Sequence, residues 1–378
     1  MFKVRATVAC LAALPSLALS SMATAAQWTV VPQLALGADS DTNRRLQAQP
    51  HQSESAVLGG VLAIARMTEV STLALTPRFT ASRYSGEDAL DSDDWGVNAL
   101  FRHNGERLMF EFSGGIADDS TLVTELGETG FVEGNTRRHS SQASASVTQY
   151  LGTRHLLQYQ LGASDIDYDN TAGTGLVGYR YPSASVLYVM TVSPRLDTTL
   201  VIDAARLDAP DSRLVSDTMG AQAGFRFRVS ERFDLEARTG RSDTSSRGHS
   251  ERRQNFLGKI SWHGELSTLD LSLSRDVEPS GRGILVNADD LRLGYTRELG
   301  ERLTLDTSAR VSRREDFRFD LRSNEYRYAA ATLALSWKLD ESWTLGFAGV
   351  YARQEYQLSA AAADGRRVGF SLAWRPLK

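Results

Sequence analysis

The chain has 378 residues, 42% of them hydrophobic and 23% charged, with a formal charge of -4 and a mean hydropathy of -0.29. After about residue 26 no apolar stretch approaches the roughly 18 residues that a spanning helix needs, which excludes a polytopic helical transporter. The one cysteine, Cys10, excludes a disulfide scaffold. Removing Lys3 and Arg5 with the first segment turns 42 basic residues into 40 against 46 acidic ones, or -6, a balance that argues against a nucleic-acid partner.

Residues 1–26 open with Lys3 and Arg5, run through an apolar stretch from Ala6 to Leu19, and end in the small-x-small pattern Ala23-Thr24-Ala25. This order predicts a secretory signal peptide, cut after Ala25 or Ala26. The run is short for a membrane anchor, and Cys10 lies too early for a lipoprotein signal. Residues 27–378 then form a single domain.

From Trp28 onward apolar side chains recur at every second position, the periodicity of a strand. Eighteen strands are predicted, over 28–38, 54–66, 71–84, 93–103, 106–117, 141–151, 155–167, 179–191, 196–207, 217–229, 233–242, 253–263, 266–276, 288–298, 302–313, 325–338, 342–353 and 366–375. In the tenth, Met219, Ala221, Ala223, Phe225, Phe227 and Val229 alternate with Gly220, Gln222, Gly224, Arg226 and Arg228. The thirteenth sets Leu269, Leu271 and Leu273 against Asp270, Ser272 and Ser274. Alternation alone fits a soluble sandwich as well as a membrane barrel.

The joins separate the two. Short ones centre on Met67 to Val70, Asn104-Gly105, Gly152 to Arg154, Ser193 to Arg195, Ser230 to Arg232, Gly264-Glu265, Leu299 to Glu301 and Leu339 to Glu341, and they alternate strictly with longer polar joins. An even strand number with short turns on one rim and long loops on the other predicts an all-β fold: a closed antiparallel transmembrane β-barrel of about 18 strands, with periplasmic turns and extracellular loops. Asn104-Gly105 is a type I′ turn signal. Pro32, Pro77 and Pro182 fall inside predicted strands, where each removes a ladder hydrogen bond, so bulges or strand-end kinks are expected there.

In hydrocarbon every backbone polar group needs a partner, so a spanning sheet must close, with apolar residues outside and charges in the lumen. Arg78, Glu111, Arg226, Glu236, Arg238, Lys259, Asp270, Arg292, Asp306 and Arg310 all have lumen parity and are the candidate pore-lining charges. Glu54, Arg206, Arg275 and Arg297 have the opposite parity but lie near strand ends. Trp28, Trp262, Trp337, Trp343 and Trp374 fall near the short-turn rim and Trp95 near the other, the placement of membrane-interface girdles.

The whole mature chain resembles the 18-stranded outer-membrane barrels of Gram-negative bacteria, and Asp39-Ser40-Asp41-Thr42-Asn43 is similar to the Asp/Asn-rich first loop of barrels associated with exopolysaccharide gene clusters. The last strand, with Val368, Phe370, Leu372 and Trp374, resembles the C-terminal signal read by the barrel-assembly machinery. It departs from that pattern because Arg375 to Lys378 follow the aromatic residue that usually ends it. The resemblance implies an outer-membrane location, contact with lipid and lipopolysaccharide, and export of a secreted polysaccharide together with periplasmic export components. It carries no catalytic residue.

A barrel of this size leaves an aqueous channel. A two-residue turn at Gly264-Glu265 pairing His263 with Leu266 would set Lys259 opposite Asp270. Pairing Val229 with Phe233 would set Arg226 opposite Glu236 and Arg228 opposite Asp234. Such pairs contribute about 0.2–1 kcal/mol each, and they either build a selective wall or only satisfy one another. The longest join, Asp118 to Ser140, carries Asp118, Asp119, Glu125, Glu128 and Glu133 before Arg137 and Arg138. Folded inward it would constrict the pore and set acids opposite wall arginines; folded outward it is a surface loop.

The six histidines, His51, His103, His139, His155, His249 and His263, show neither ligand spacing nor a Ser/His/Asp set, so no enzyme, metal site or cofactor is expected. Asp88, Asp91 and Asp93 read as solvated loop acids rather than a Ca²⁺ site. The leading reading is a pore for hydrophilic solute, with polysaccharide export as the use the resemblance implies. A general diffusion porin and a structural or adhesive barrel with a closed lumen are the alternatives.

Overall fold

The computed structural model describes residues 26–128, 135–171, 174–317, 325–356 and 359–376. The predicted signal peptide up to Ala25, and Glu133 of the third loop, lie outside the described residues. The strands, in chain order, are β1 (Gln27–Asp41), β2 (Ser53–Met67), β3 (Ser71–Ser85), β4 (Ser92–Asn104), β5 (Leu108–Ser120), β6 (Arg137–Tyr150), β7 (His155–Tyr168), β8 (Tyr179–Ser193) and β9 (Leu196–Ala209). They continue as β10 (Leu214–Ser230), β11 (Phe233–Ser246), β12 (His249–His263), β13 (Ser267–Ser280), β14 (Ile284–Glu298), β15 (Leu303–Asp316), β16 (Glu325–Lys338), β17 (Trp343–Tyr356) and β18 (Ser359–Trp374). Among the described residues one α-helix, α1 (Thr121–Glu128), follows β5, and two single-turn 3-10 helices, Asp88–Leu90 and Pro210–Ser212, lie in the loops. Among the described residues no helix is long and apolar enough to cross a membrane.

Each strand pairs antiparallel with the next, and β1 pairs with both β2 and β18, so the sheet is a closed barrel of eighteen strands. The seam runs from Leu34 opposite Trp374 to Asp41 opposite Arg367. Closure gives every strand a neighbour on both sides, although residues 27–33 of β1 run beyond the β18 ladder and residues 249–255 of β12 beyond the β13 ladder. The two faces follow the alternation of the sequence. In β10, Met219, Phe225, Phe227 and Val229 are exposed on the outside, whereas Ser216 and Thr218 are buried beneath loops folded into the barrel.

Several expectations need correction. The joins do not alternate strictly between short and long. On the long-loop rim β11–β12 is joined by two residues, 247–248, and β13–β14 by three, 281–283, because these strands run further out than their apolar alternation does. Asn104-Gly105 is not a type I′ turn. Neither residue has positive φ, and the Gly105 amide instead donates to the Leu108 carbonyl across a four-residue turn. Glycine is needed at 105 because a Cβ would sit 2.9 Å from that carbonyl oxygen. The two-residue turn with positive φ at both positions is Arg247 (48°) and Gly248 (81°), on the opposite rim.

The prolines cause no bulge. Pro32 pairs with Leu62 in register and lies beyond the seam with β18. Pro77 pairs with Val97 and Pro182 with Ala163, and the pairing on their other sides resumes in the same register after a short gap. The missing N–H therefore interrupts one ladder locally without shifting it. The described register shifts lie elsewhere, at Thr191/Ser193, Arg228/Ser230 and Glu355/Tyr356, the first two beside short turns.

Candidate functional site: the bore and its mouth

The inner face divides into two unlike halves. From β10 to β15 it is a ladder of charges. Arg226 stands opposite Glu236 and Arg228 opposite Asp234, as the alternation predicts, but the hairpin closes through Ser230 opposite Phe233 with Val229 bulged out of register. The Arg226 and Arg238 guanidiniums both reach Glu236 at 3.2 Å, and Lys259 stands opposite that same carboxylate. The expected Lys259–Asp270 pairing is not formed. The turn from Gly264 to Ser267 holds two residues more than assumed, so Lys259 faces Ser272 and Asp270 faces Ser261, whose hydroxyl donates to it at 2.7 Å. A two-residue slip preserves the face of every side chain, which is why lumen parity survives the error.

Further round, Asp290 is a nearly buried hub for three arginines: Arg310 at 2.9 Å, Arg292 at 3.6 Å and Arg314 at 3.8 Å. Asp306 accepts from Thr296 at 2.7 Å. Sequence reasoning singled out Arg292 and Arg310 but missed Asp290, although it lies two residues before Arg292 and so on the same face. It also passed over Arg102, which holds Glu111 at 2.8 Å through Nε.

The other half of the inner face, β3 to β8, is mostly uncharged. Thr76, Asn98, Ser113, Gln142, Ser144 and Ser183 surround a recess of about 540 Å³. Arg78 lies at its upper edge and is paired with Asp119 at 3.0 Å. β5 stands halfway round the ring from β14, so hydroxyls and amides face the Asp290 cluster across the bore.

The third loop folds inward. Its join is shorter than predicted, because Asp118 and Asp119 belong to β5 and Arg137 and Arg138 to β6. Within α1, Thr121, Leu122 and Glu125 are almost fully buried. Leu122 packs with Tyr84 and Leu90, and Glu125 accepts from the Tyr168 hydroxyl at 2.7 Å and pairs with Arg138 at 3.4 Å. Asp118 is taken by Arg137, which also reaches Asp94 at 2.8 Å. Asp119 thus does meet a wall arginine, Arg78 of β3, whereas Asp118 and Glu125 pair with Arg137 and Arg138 at the start of β6. Glu128 ends the helix.

Two other segments enter the mouth. The β13–β14 tip bends across the mouth, and β14 touches β9 and β10. An apolar cluster of Ile166, Tyr168, Leu176, Leu207, Val277 and Leu285 locks it in place. The β1–β2 loop enters from the other side: Leu46 is buried, its carbonyl accepts from Gln354 at 2.6 Å, and Arg44 lies over the Tyr84 ring at 5.8 Å. In the Asp39 to Asn43 motif, Asp41 accepts from the Asn43 amide, and Asn43 bonds both Gln47 and Asp364. The motif thus holds its own loop inward. The sequence signal for this capping is apolar residues in the joins: lone Leu46, Ala89-Leu90, Leu122-Val123 and Leu176-Val177.

On the outer face Trp28, Trp337 and Trp343 are exposed near the short-turn rim and Trp95 near the other, while Trp262 and Trp374 are partly covered at the short-turn rim. Glu54 and Arg297 point outward next to strand ends. Arg206 and Arg275 lie on the loop-side half and pair with Asp217 at 3.8 Å and Asp289 at 2.5 Å. Among the described residues no group of three His, Cys, Asp or Glu side chains could hold a metal ion.

No protein-family profile matches the chain, and no curated protein matches it in sequence. Solved structures do match it in fold. The outer membrane protein OpdK of Pseudomonas aeruginosa superposes with a TM-score of 0.51 at 13% identity, over 92% of this chain and 99% of its own. OpdO of the same organism gives 0.51 at 11% identity, over 92% and 97%, and OccK5 (OpdH) gives 0.51 at 10%, over 93% and 99%. At these identities the likeness is one of architecture, and the chain has the closed antiparallel eighteen-strand barrel fold of these outer-membrane proteins.

Proposed function

We propose that this chain is an outer-membrane diffusion pore for small hydrophilic solutes. The observation that carries this reading is the division of its faces: apolar side chains cover the outside of a closed barrel, and charges, amides and hydroxyls cover the inside. Lipid suits the first face and water the second. The tryptophans on the two rims would sit at the membrane interfaces. Arg78, Glu111, Arg226, Glu236, Arg238, Lys259, Asp270, Arg292, Asp306 and Arg310 would line the pore. α1 with the β13–β14 tip would set its narrowest section. A solved relative in fold, OpdK, is described with vanillate, which fits a bore that admits small molecules.

Export of a polysaccharide rests on the Asp39 to Asn43 resemblance with overall length and strand count, and in this chain Asp41 and Asn43 are engaged in holding a loop. A crowded mouth also suits small solutes better than a polymer. Planar-bilayer recording of the purified protein tests the proposal: stepwise conductance that small polyethylene glycols reduce and large ones do not is expected. Smooth, step-free membranes at protein loads that insert other barrels would refute it.

A further inference from the structure

We propose that the recess on the β3–β8 wall is a subsite for an uncharged, polyhydroxylated solute, a sugar of one or two rings. Its volume of about 540 Å³ falls within the ~300–1,000 Å³ typical of small-molecule sites. No charged side chain lines it; its polar groups are hydroxyls and amides, with Tyr181 at one end adding an aromatic ring with a polar tip. A neutral polyol offers many donors and acceptors and no charge, and this surface matches that chemistry. An anion would find its complement on the opposite wall instead, around Arg226 and Arg292.

The recess is shaped by missing side chains. At Gly115 a Cβ would fall 2.4 Å from Asn98 Oδ1, and at Gly162 it would fall 2.8 Å from Ser183 Oγ. Both glycines are inward-facing, so a side chain at either would displace a polar group that faces the cavity. The Ser113 and Ser144 hydroxyls bond each other at 2.7 Å and form a fixed pair on the rung next to the row Asn98, Gly115 and Gln142. The amides of Asn98 and Gln142 are not spent on other described side chains, so both of their donor and acceptor ends remain for a ligand.

The proposal relies on the pore reading for the route by which solute arrives, not for binding itself. The experiment uses maltose as probe and the full-length barrel in detergent, with binding followed by saturation-transfer NMR and current block followed in planar bilayers. Asn98→Leu and Gln142→Leu should each weaken maltose binding by about five-fold or more, the equivalent of one net hydrogen bond. Ser308→Leu, on the opposite wall, should leave it unchanged. Shifted migration of the unheated protein on gels checks that each variant is a folded barrel, and Asn98→Ser and Gln142→Ser replace any variant that fails. Absence of maltose binding, or equal binding in all variants, overturns the subsite. Conductance without maltose binding overturns the subsite alone, whereas maltose binding without conductance supports it and refutes the pore.

Discussion

Val177 and Gly281 stand on loops separated around the wall by β9 to β12, yet the Val177 amide donates to the Gly281 carbonyl at 2.8 Å. The same glycine abuts the third loop: a Cβ there would lie 2.5 Å from Glu125 Oε2 and 2.9 Å from the Tyr168 hydroxyl oxygen. The tip of β13–β14, the β7–β8 loop and α1 therefore meet at one residue, and the mouth is packed as a unit across the barrel. A backbone contact between remote strands costs loop-closure entropy, and the buried apolar cluster around Leu207 and Leu285 offsets it.

Gly281→Leu forces this junction apart. Its side chain has no space beside Glu125 and Tyr168, so α1 or the tip must move. Single-channel conductance should rise, with the barrel still folded by gel shift. Deleting residues 122–134, which leaves the strand ends at Asp119 and Arg137 intact, should raise it further. Unchanged step size in both would place these segments outside the conduction path.

Asp290→Asn should move ion selectivity. The carboxylate is the shared partner of Arg292, Arg310 and Arg314, and its loss leaves positive charge on the bore wall. Reversal potentials in a salt gradient are expected to shift toward chloride. Stability should fall by about 1–3 kcal/mol, because the buried asparagine satisfies its guanidinium partners less well, measured as a lower urea midpoint. A shift toward cations would contradict the assignment.

Outer and inner faces should differ sharply in their tolerance of charge. Leu161 is the most exposed large apolar side chain of β7. Leu161→Arg is expected to cost about 2–4 kcal/mol in lipid. Ser308→Arg, facing the bore, should change stability by less than about 0.5 kcal/mol. Equal costs by urea unfolding in bilayers would remove the distinction between the faces.

Gly248→Ala tests the hairpin turn. Gly248 has φ +81° beside Arg247 at +48°. An alanine there carries the left-handed penalty of about 1–2 kcal/mol, read as a small drop in urea midpoint. No change would mean that the turn does not hold this geometry in solution.

Much of the fold was legible because alternation has a period of two and lipid or water selects each face. The strand over 217–229 and its neighbours could be found from Met219, Phe225 and Arg226 alone. Pairing was less legible. The Lys259–Asp270 pairing failed because Gly264-Glu265 reads as a complete turn, whereas Leu266 and Ser267 also belong to it. The mouth is least legible, since Val177 and Gly281 carry no local signal of each other; only apolar residues within the joins, such as Leu46, Leu90 and Leu122, mark that these loops pack inward. Asp290 shares the parity of Arg292, but its role depends on Arg310 and Arg314 from the neighbouring strand, which no local pattern reveals. The uncharged recess carries no local signal, because serines and glycines on a strand read as filler until the wall curves them together.

The central claim is that the bore is wet and the outer skin meets lipid. Thiol accessibility tests it most directly, since Cys10 is the one native cysteine and a Cys10→Ser background clears it. Cysteines placed one at a time at Ser144, Ser308, Phe225 and Leu273 in reconstituted protein would be exposed to a charged maleimide. Rapid labelling at Ser144 and Ser308, with Phe225 and Leu273 protected, is the predicted result. Labelling at Phe225 and Leu273 while Ser144 and Ser308 stay unreactive would contradict it.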